Sequence, residues 1–452
     1  MSAPNVPESS ATHGAARPGG TARLDAEIRT LALPAFATLV AEPLLVIADS
    51  AIVGHISTEA LAGLGVAASV IGLVIGLCIF LAYTTTASVA RRLGAGDLRS
   101  ALASGLDGIS LALVVGVVLA VAISSLSPQI IGLYQAAPGV SSQAQTYLRV
   151  MAAGLPAVLV MLAATGVLRG LQDTRTPLAV ALVMNLVNVA LSLMLVFGLG
   201  WGIAGAATGS VLSQYAAAAV LAWTVLRGSR RHGLRWHPNP TGVLVVARSG
   251  AWLVVRTAGL QGCLLATTAV AARMPATAMA GHQILNSLWM LLVYAMDAVA
   301  IAAQAIVGRY LGAGDSATVR ALLRRMLAWG VGIGVGSGVL LWAGASLYLP
   351  WFTPDAAVRS QVSHVLPVLA LLTVVAGLVF VLDGVLIGAG DARYLAWASL
   401  INLVTYLPLA FAVAATGAGL GWLWLAYGGL TVSRLATLGL RARGTRWMRL
   451  GG

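Results

Sequence analysis

The stretch Arg91-Arg-Leu-Gly-Ala-Gly-Asp97 decides the fold, because the chain contains it twice. The second copy, Arg309-Tyr-Leu-Gly-Ala-Gly-Asp315, begins 218 residues after the first. Each copy closes a long apolar run, and the opening residues of the two runs keep the same offset: Ala60-Leu-Ala-Gly63 and Ala278-Met-Ala-Gly281. Solenoid repeats have periods of roughly 20–50 residues, so an offset this long indicates two homologous halves. We therefore expect function to lie between the halves.

Composition places those halves in a membrane. The 452 residues are 59% hydrophobic and 9% charged, whereas soluble domains are about 25% charged. All 27 basic residues are arginines and outnumber 14 acids, which gives a formal charge of +13. The arginines lie in short connections between apolar runs, where they are typical topology signals. No basic patch alternates with aromatic residues, so we expect no nucleic-acid partner.

Twelve apolar runs are long enough to span a bilayer, which needs roughly 20 residues per helix. Arginines concentrate in alternate connections, which predicts that both ends of the chain are cytoplasmic in a multi-pass protein of the plasma or inner membrane. Six spans per half are an even number, so the halves enter the membrane in the same direction and the pseudo-two-fold axis follows the membrane normal. The spans lie near 31–53, 60–90, 101–124, 146–169, 178–198, 203–227, 243–270, 278–308, 320–345, 361–388, 394–413 and 418–440.

The predicted fold is thus an all-α polytopic membrane protein with twelve transmembrane helices in two six-helix lobes. Residues 1–30 are rich in Ser, Ala, Pro and Gly and are expected to form a disordered cytoplasmic tail. The first lobe covers 31–227 and the second covers 243–440. A cytoplasmic linker, 228–242, joins them, and a basic cytoplasmic tail, 441–452, follows. Lobes of this kind favour alternating access by rocking about a central cleft.

Five acids interrupt apolar runs. A charge at the centre of a span costs about 2.5–3.5 kcal/mol on insertion scales, so each acid needs a reason. Burial favours the neutral form of an acid, and such a group can load and release a proton, or bind Na⁺ while ionised. The five are Glu42, Asp49, Asp107, Asp297 and Asp383.

Asp49 is the leading candidate for the coupling acid. Glu42 lies two turns earlier on nearly the same helix face, next to Pro43. The residue 218 positions after Asp49 is Thr267. The lobes therefore differ at this point, which suggests that the first lobe couples transport to an ion.

Neutral polar residues in spans five and six form a second group. Asn185, Asn188 and Ser192 follow i, i+3, i+7 spacing along one helix face, and Ser210 lies in the next span. Their oxygens could complete a Na⁺ shell with Asp49. Equally, they could join packed helices as polar contacts.

The second lobe offers a charged group of its own. Arg256 lies inside span seven and must pair with an acid or face water. We expect a pair with either Asp297 or Asp383, both in the substrate cavity. Asp383 is otherwise expected either to contact substrate or to cap a helix near the interface.

These patterns resemble the multidrug and toxic compound extrusion (MATE) family, in its DinF-like branch. The resemblance covers about 31–440 and depends on the following stretches: Ala48-Asp49, Arg91–Asp97, Gly198–Ala207, Ala280–Ile284, Asp297–Asp315 and Leu382–Asp391. It implies export of cationic or amphipathic organic compounds against inward H⁺ or Na⁺, by a protein that we expect to be monomeric and without a further cofactor.

The resemblance also implies site residues. Asp49 matches the family's first-span aspartate, Asn188 matches the asparagine beside it, and Ser210 matches a hydroxyl position of the same cavity; these three are the possible Na⁺ ligands. Many relatives have an aspartate where this chain has Ser192. The loss of that carboxylate favours proton coupling.

Other function classes fit less well. A lipid or lipid-linked saccharide flippase of the same superfamily would favour more spans and several arginines in the cleft, where the sequence offers chiefly Arg256. An intramembrane enzyme would need clustered acids, metal ligands or a Ser/His pair, and we find none in the sequence. Two unlike lobes also suit alternating access better than a symmetric channel.

Overall fold

The computed structural model describes residues 20–234, 236 and 239–451. That part of the chain is helical and irregular, as predicted. The helices are α1 (Gly20–Gly54), α2 (Thr58–Cys78), α3 (Phe80–Gly94), α4 (Leu98–Gly132), α5 (Pro138–Gly170), α6 (Arg175–Leu193), α7 (Gly202–Arg231), α8 (Pro240–Ala271), α9 (Ala276–Gly312), α10 (Ser316–Ala343), α11 (Ala345–Phe352), α12 (Ala356–Gly388), α13 (Ala392–Thr416) and α14 (Leu420–Arg443). A π-helical turn, Met194–Gly198, follows α6.

The repeated turn ends one helix and begins the next in both halves. Gly96 and Gly314 adopt φ values of +81° and +76°, the left-handed region that side chains with a Cβ rarely adopt. Asp97 then caps α4, its Oδ1 accepting from the backbone amide of Ser100 at 2.8 Å. Hydrogen bonds from Ser100 also lower the pKa of the Asp97 carboxyl. Asp315 caps α10 in the same way, at 2.9 Å.

Each of the twelve predicted spans coincides with a long helix, counting α2 and α3 as the second span. Among the described residues, eleven of these are long and apolar enough to cross a membrane. The twelfth, α14, is not among those eleven, because its 24 residues include glycines, aromatics and Arg434. The short helix α11 was not predicted, since it follows α10 after only Gly344.

The two lobes, α1–α7 and α8–α14, meet on a pseudo-two-fold axis. A Cβ atom added at Gly94 would overlap the carbonyl oxygen of Arg309. A Cβ atom at Gly312, which is 218 residues further on, would overlap the carbonyl oxygen of Arg91 in the same way. The contact is thus reciprocal, and the predicted two-lobe fold is confirmed. Only glycine permits this close approach of α3 and α9.

Gly94→Ala should therefore weaken the lobe contact. Overpacking of a tight contact costs about 1–3 kcal/mol, which we expect to appear as a melting temperature lowered by several degrees in tryptophan-fluorescence unfolding. Gly72→Ala is the matched control, because nothing lies within 4 Å of a Cβ at that helical position. Equal melting temperatures of the two variants would contradict the axis contact.

The apolar core is joined at one end of the molecule and divided at the other. We call the end with the repeated turns the basic face. There one cluster contains buried residues of both lobes, such as Leu81, Leu168, Ile306 and Leu386. Towards the opposite face, the first lobe has its own cluster and the second lobe has another. The lobes therefore separate from a shared base, which leaves a cleft towards the opposite face.

The prediction of a disordered tail over 1–30 is wrong for its last part. Residues 1–19 lie outside the described residues, but α1 already begins at Gly20. Ile28 is fully buried in the joined core. Asp25 and Glu27 form ion pairs with arginines of the second lobe. Sequence spacing cannot reveal such distant partners, which make helix formation favourable here.

Two further boundaries differ from the predictions. The helices α7 and α8 extend into the predicted linker 228–242, and Asn239 caps α8 by accepting from Thr241 N at 3.1 Å. The predicted tail 441–452 begins inside α14, and residues 444–451, which we call the α14 extension, pack on the molecule. Trp447 of this extension is 1% exposed.

Candidate functional site

The leading acid lies in the first lobe, towards the opposite face. Asp49 is five residues before the end of α1 and is partly buried. Its Oδ2 accepts from the hydroxyl of Ser210 at 3.4 Å. Its Oδ1 is buried and has no hydrogen-bond partner within the described residues. A carboxylate oxygen without a partner is costly to keep ionised, so a proton or cation would stabilise it.

Behind Ser210, two more predicted residues extend the polar group. The Nδ2 of Asn188 donates to the Ser210 oxygen at 2.8 Å. Ser192 is fully buried, and its hydroxyl lies 3.5 Å from Asn188 Oδ1 and 3.4 Å from the carbonyl oxygen of Ala206. A Cβ at Gly209 would lie 2.7 Å from the Ser192 hydroxyl, so α6 and α7 pack closely here. The structure thus brings Asp49, Ser210, Asn188 and Ser192 together in a chain of contacts.

Asn185 and Glu42 lie elsewhere on the same helices. Asn185 Nδ2 donates to the carbonyl oxygen of Ala41 at 2.7 Å, which joins α6 to α1. Glu42 is exposed and makes no hydrogen bond or ion pair with another described side chain. Asn185 therefore acts as a helix contact in this structure, separate from the chain of contacts at Asp49.

The equivalent position in the second lobe has neutral chemistry. Thr267, which stands where the first lobe has Asp49, is buried and lies 2.5 Å from the hydroxyl of Tyr406. Asn402, the counterpart of Asn185, accepts from Ser433 at 2.7 Å. The predicted asymmetry of the lobes is therefore present in the side chains and in their partners.

The charged group of the second lobe is a buried ion-pair cluster. Arg256 binds Asp383 through both carboxylate oxygens, with Nε donating to Oδ1 at 3.2 Å. Arg434 donates to the same carboxylate at 3.2 Å. The three side chains are only 8–15% exposed. Of the two predicted pairings of Arg256, the structure forms the one with Asp383.

Asp297 does not join this cluster. It is partly buried on α9 and forms no hydrogen bond or ion pair with another described residue. The alternative in which Asp383 caps a helix is wrong, because α12 continues five residues beyond it.

Sequence reasoning missed Arg434. It follows Leu430-Thr-Val-Ser inside the last span, where an arginine needs a partner as much as Arg256 does. The insertion cost was thus a usable signal. Its choice of partner was not readable, because Arg434 and Asp383 are 51 residues apart on different helices.

Comparison with known proteins places this geometry among its relatives. The family model MatE matches residues 34–194 and 253–412, one stretch in each lobe. The chain is 32% identical over 429 residues to protein DETOXIFICATION 44, chloroplastic, of Arabidopsis thaliana, covering 90% of this chain and 80% of that protein. It is 28% identical to the DNA damage-inducible protein F of Escherichia coli, covering 91% and 89%. A crystal structure of a Vibrio cholerae MATE transporter has the same fold, with a TM-score of 0.85 at 18% identity over 95% and 99% of the two chains.

Proposed function

This chain belongs to the MATE family of transporters, and on that premise we propose that it exports cationic or amphipathic organic compounds in exchange for H⁺, which loads on Asp49. Relatives of this chain are named multidrug resistance proteins, and family members are transporters rather than enzymes. The observation that carries the proposal is the unpartnered, buried Oδ1 of Asp49 beside the cleft between the lobes.

The surroundings of Asp49 favour a proton over Na⁺. A bound Na⁺ needs several oxygen ligands. Beside Asp49 the structure offers one hydroxyl, that of Ser210, whose hydrogen-bonding capacity is already used by Asn188 and the carbonyl oxygen of Ala206. Asn188 turns its NH₂ group, not its oxygen, towards Ser210. A single proton satisfies the carboxylate without further ligands.

The divided core supports alternating access. The basic face is closed by a core common to both lobes, while each lobe keeps its own core towards the opposite face. Rocking the lobes about the axis at Gly94 and Gly312 would open one end as it closes the other. We place the basic face in the cytoplasm, because arginines concentrate in its connections. The structure then corresponds to a state open to the outside.

Removing Na⁺ should leave transport largely intact. In vesicles with a fixed pH gradient, we expect export of a fluorescent cationic dye to stay within about twofold when Na⁺ is replaced by K⁺, because a single ionisable group carries the charge. Collapsing the pH gradient at constant Na⁺ is the control and should abolish uptake. Loss of transport on Na⁺ removal, with the pH gradient intact, would reverse the ion assignment.

A further inference from the structure

The two copies of the repeated turn hold reciprocal contacts across the basic face. The guanidinium of Arg91, in the first lobe, donates to the carbonyl oxygen of Ala389 in the second lobe at 2.9 Å. It also donates to the carbonyl oxygens of Arg449 and Gly451, at 2.7 and 3.0 Å. Both belong to the α14 extension, and Gly451 N in turn donates to the carbonyl oxygen of Leu311 at 3.1 Å. One arginine of the first lobe thus binds three carbonyls of the second.

The equivalent arginine of the second lobe binds the first lobe. Arg309, 218 residues after Arg91, forms an ion pair with Glu27 in the first turns of α1. The hydroxyl of Tyr310 donates to the other oxygen of Glu27 at 3.3 Å. The preceding turn is also fixed, because Asp25 accepts from Arg325 Nε at 2.6 Å and is held further by α10. Each lobe therefore extends one segment to the repeated turn of the other.

Both segments carry an apolar anchor in addition to the polar contacts. Ile28, one residue after Glu27, is fully buried, and Trp447 of the α14 extension is 1% exposed. Both belong to the joined core. An exposed ion pair alone contributes little, whereas a segment that is both anchored and hydrogen-bonded can hold two lobes together. The two contacts lie beside the Gly94–Gly312 crossing.

We propose that Arg91 and Arg309 are positioning residues for transport, which form a paired latch that holds the basic face closed. Each latch joins atoms of different lobes, so both must release before the cleft opens at that face. The inference rests on the alternating-access function proposed above. It adds a role for the first turns of α1 and for the α14 extension that neither the coupling acid nor the substrate cavity requires.

Distances between spin labels on the opposite face test the latch. We would label Leu133→Cys and Leu347→Cys, which are 82% and 71% exposed on different lobes. The background is Cys78→Ala/Cys263→Ala in lipid nanodiscs. Each lost hydrogen bond removes about 0.5–1.5 kcal/mol. In Arg91→Gln combined with Glu27→Gln, we therefore expect the ratio of short to long distances to rise about tenfold, since an opened basic face closes the opposite one.

Arg92→Gln is the matched control, because Arg92 bonds only to Ser88 of its own helix, at 3.3 Å. Its distances should equal those of the parent. The latch is overturned if the double variant shows the distances of Arg92→Gln, even when its transport is impaired. Should the double variant unfold, Glu27→Gln alone gives the same test with a smaller shift. The measurement needs no substrate or ion gradient, so an error in the proposed coupling ion would leave its result unchanged.

Discussion

Asp49→Asn is expected to abolish proton-driven dye export in reconstituted vesicles, to the rate of empty vesicles, while the protein still folds. Asparagine has nearly the same shape and can still contact the Ser210 hydroxyl, which lies 3.4 Å from the carboxylate. It cannot take up or release a proton, so proton binding no longer differs between the two states of the transporter. A ligand can shift a conformational equilibrium only by its differential affinity for those states. Without it, the pH gradient has no means to drive export.

Asp355→Asn is the matched control. This acid lies at the start of α12, where its Oδ1 accepts from Ala357 N at 2.8 Å. Asparagine caps helices about as well as aspartate, so transport should be unchanged. Tryptophan-fluorescence melting of both variants separates a functional loss from a folding defect. Proton-driven export by a folded Asp49→Asn variant at more than about a tenth of the parent rate would rule out the coupling role.

Asp383→Asn should cause the largest loss of stability. It leaves the guanidinium groups of Arg256 and Arg434 without their shared carboxylate, at sites only 10% and 15% exposed. Removing one partner of a buried pair costs about 3–5 kcal/mol, because an uncompensated charge remains. Arg256→Leu should cost less, since Arg434 still binds the carboxylate. Thermal and denaturant unfolding, followed by tryptophan fluorescence, measure both.

The combination of the two substitutions tests whether the groups act as a pair. In Arg256→Leu/Asp383→Asn only one unpaired arginine remains, so its cost should fall short of the summed single costs by about 0.5–3 kcal/mol. Asp391→Asn is the control: Asp391 pairs with Arg441 at 2.7 Å, at a more exposed position. Its loss should cost at most about 1 kcal/mol. Additive single effects at Arg256 and Asp383 would contradict the pair.

Much of the fold was predictable because two independent signals in the sequence agree. The length of each apolar run places the spans, and the 218-residue repeat places their counterparts, so the helices were predicted to within a few residues at most ends. The site around Asp49 was also predictable in part. An acid inside an apolar run is costly enough to stand out, and i, i+3, i+7 spacing placed Asn188 and Ser192 on one side of α6.

The remainder depends on partners far away in the chain. Glu27 has no apparent role until Arg309, 282 residues later, lies beside it. Arg434 was missed and Asp297 was offered as a partner of Arg256, because spacing along one helix does not show which helices pack together. The close approach at Gly94 is equally invisible in one copy of the repeat. Its meaning follows only when the two copies face each other.

The division of the apolar core has a thermodynamic consequence for the transport cycle. Opening the basic face would bring water to side chains that the joined core now keeps dry, while closing the opposite end would dehydrate the cleft walls. Hydration of apolar surface raises the heat capacity. Unless the two areas match, the two states differ in heat capacity, and the balance between them changes along a curve, not a straight line, as the temperature rises.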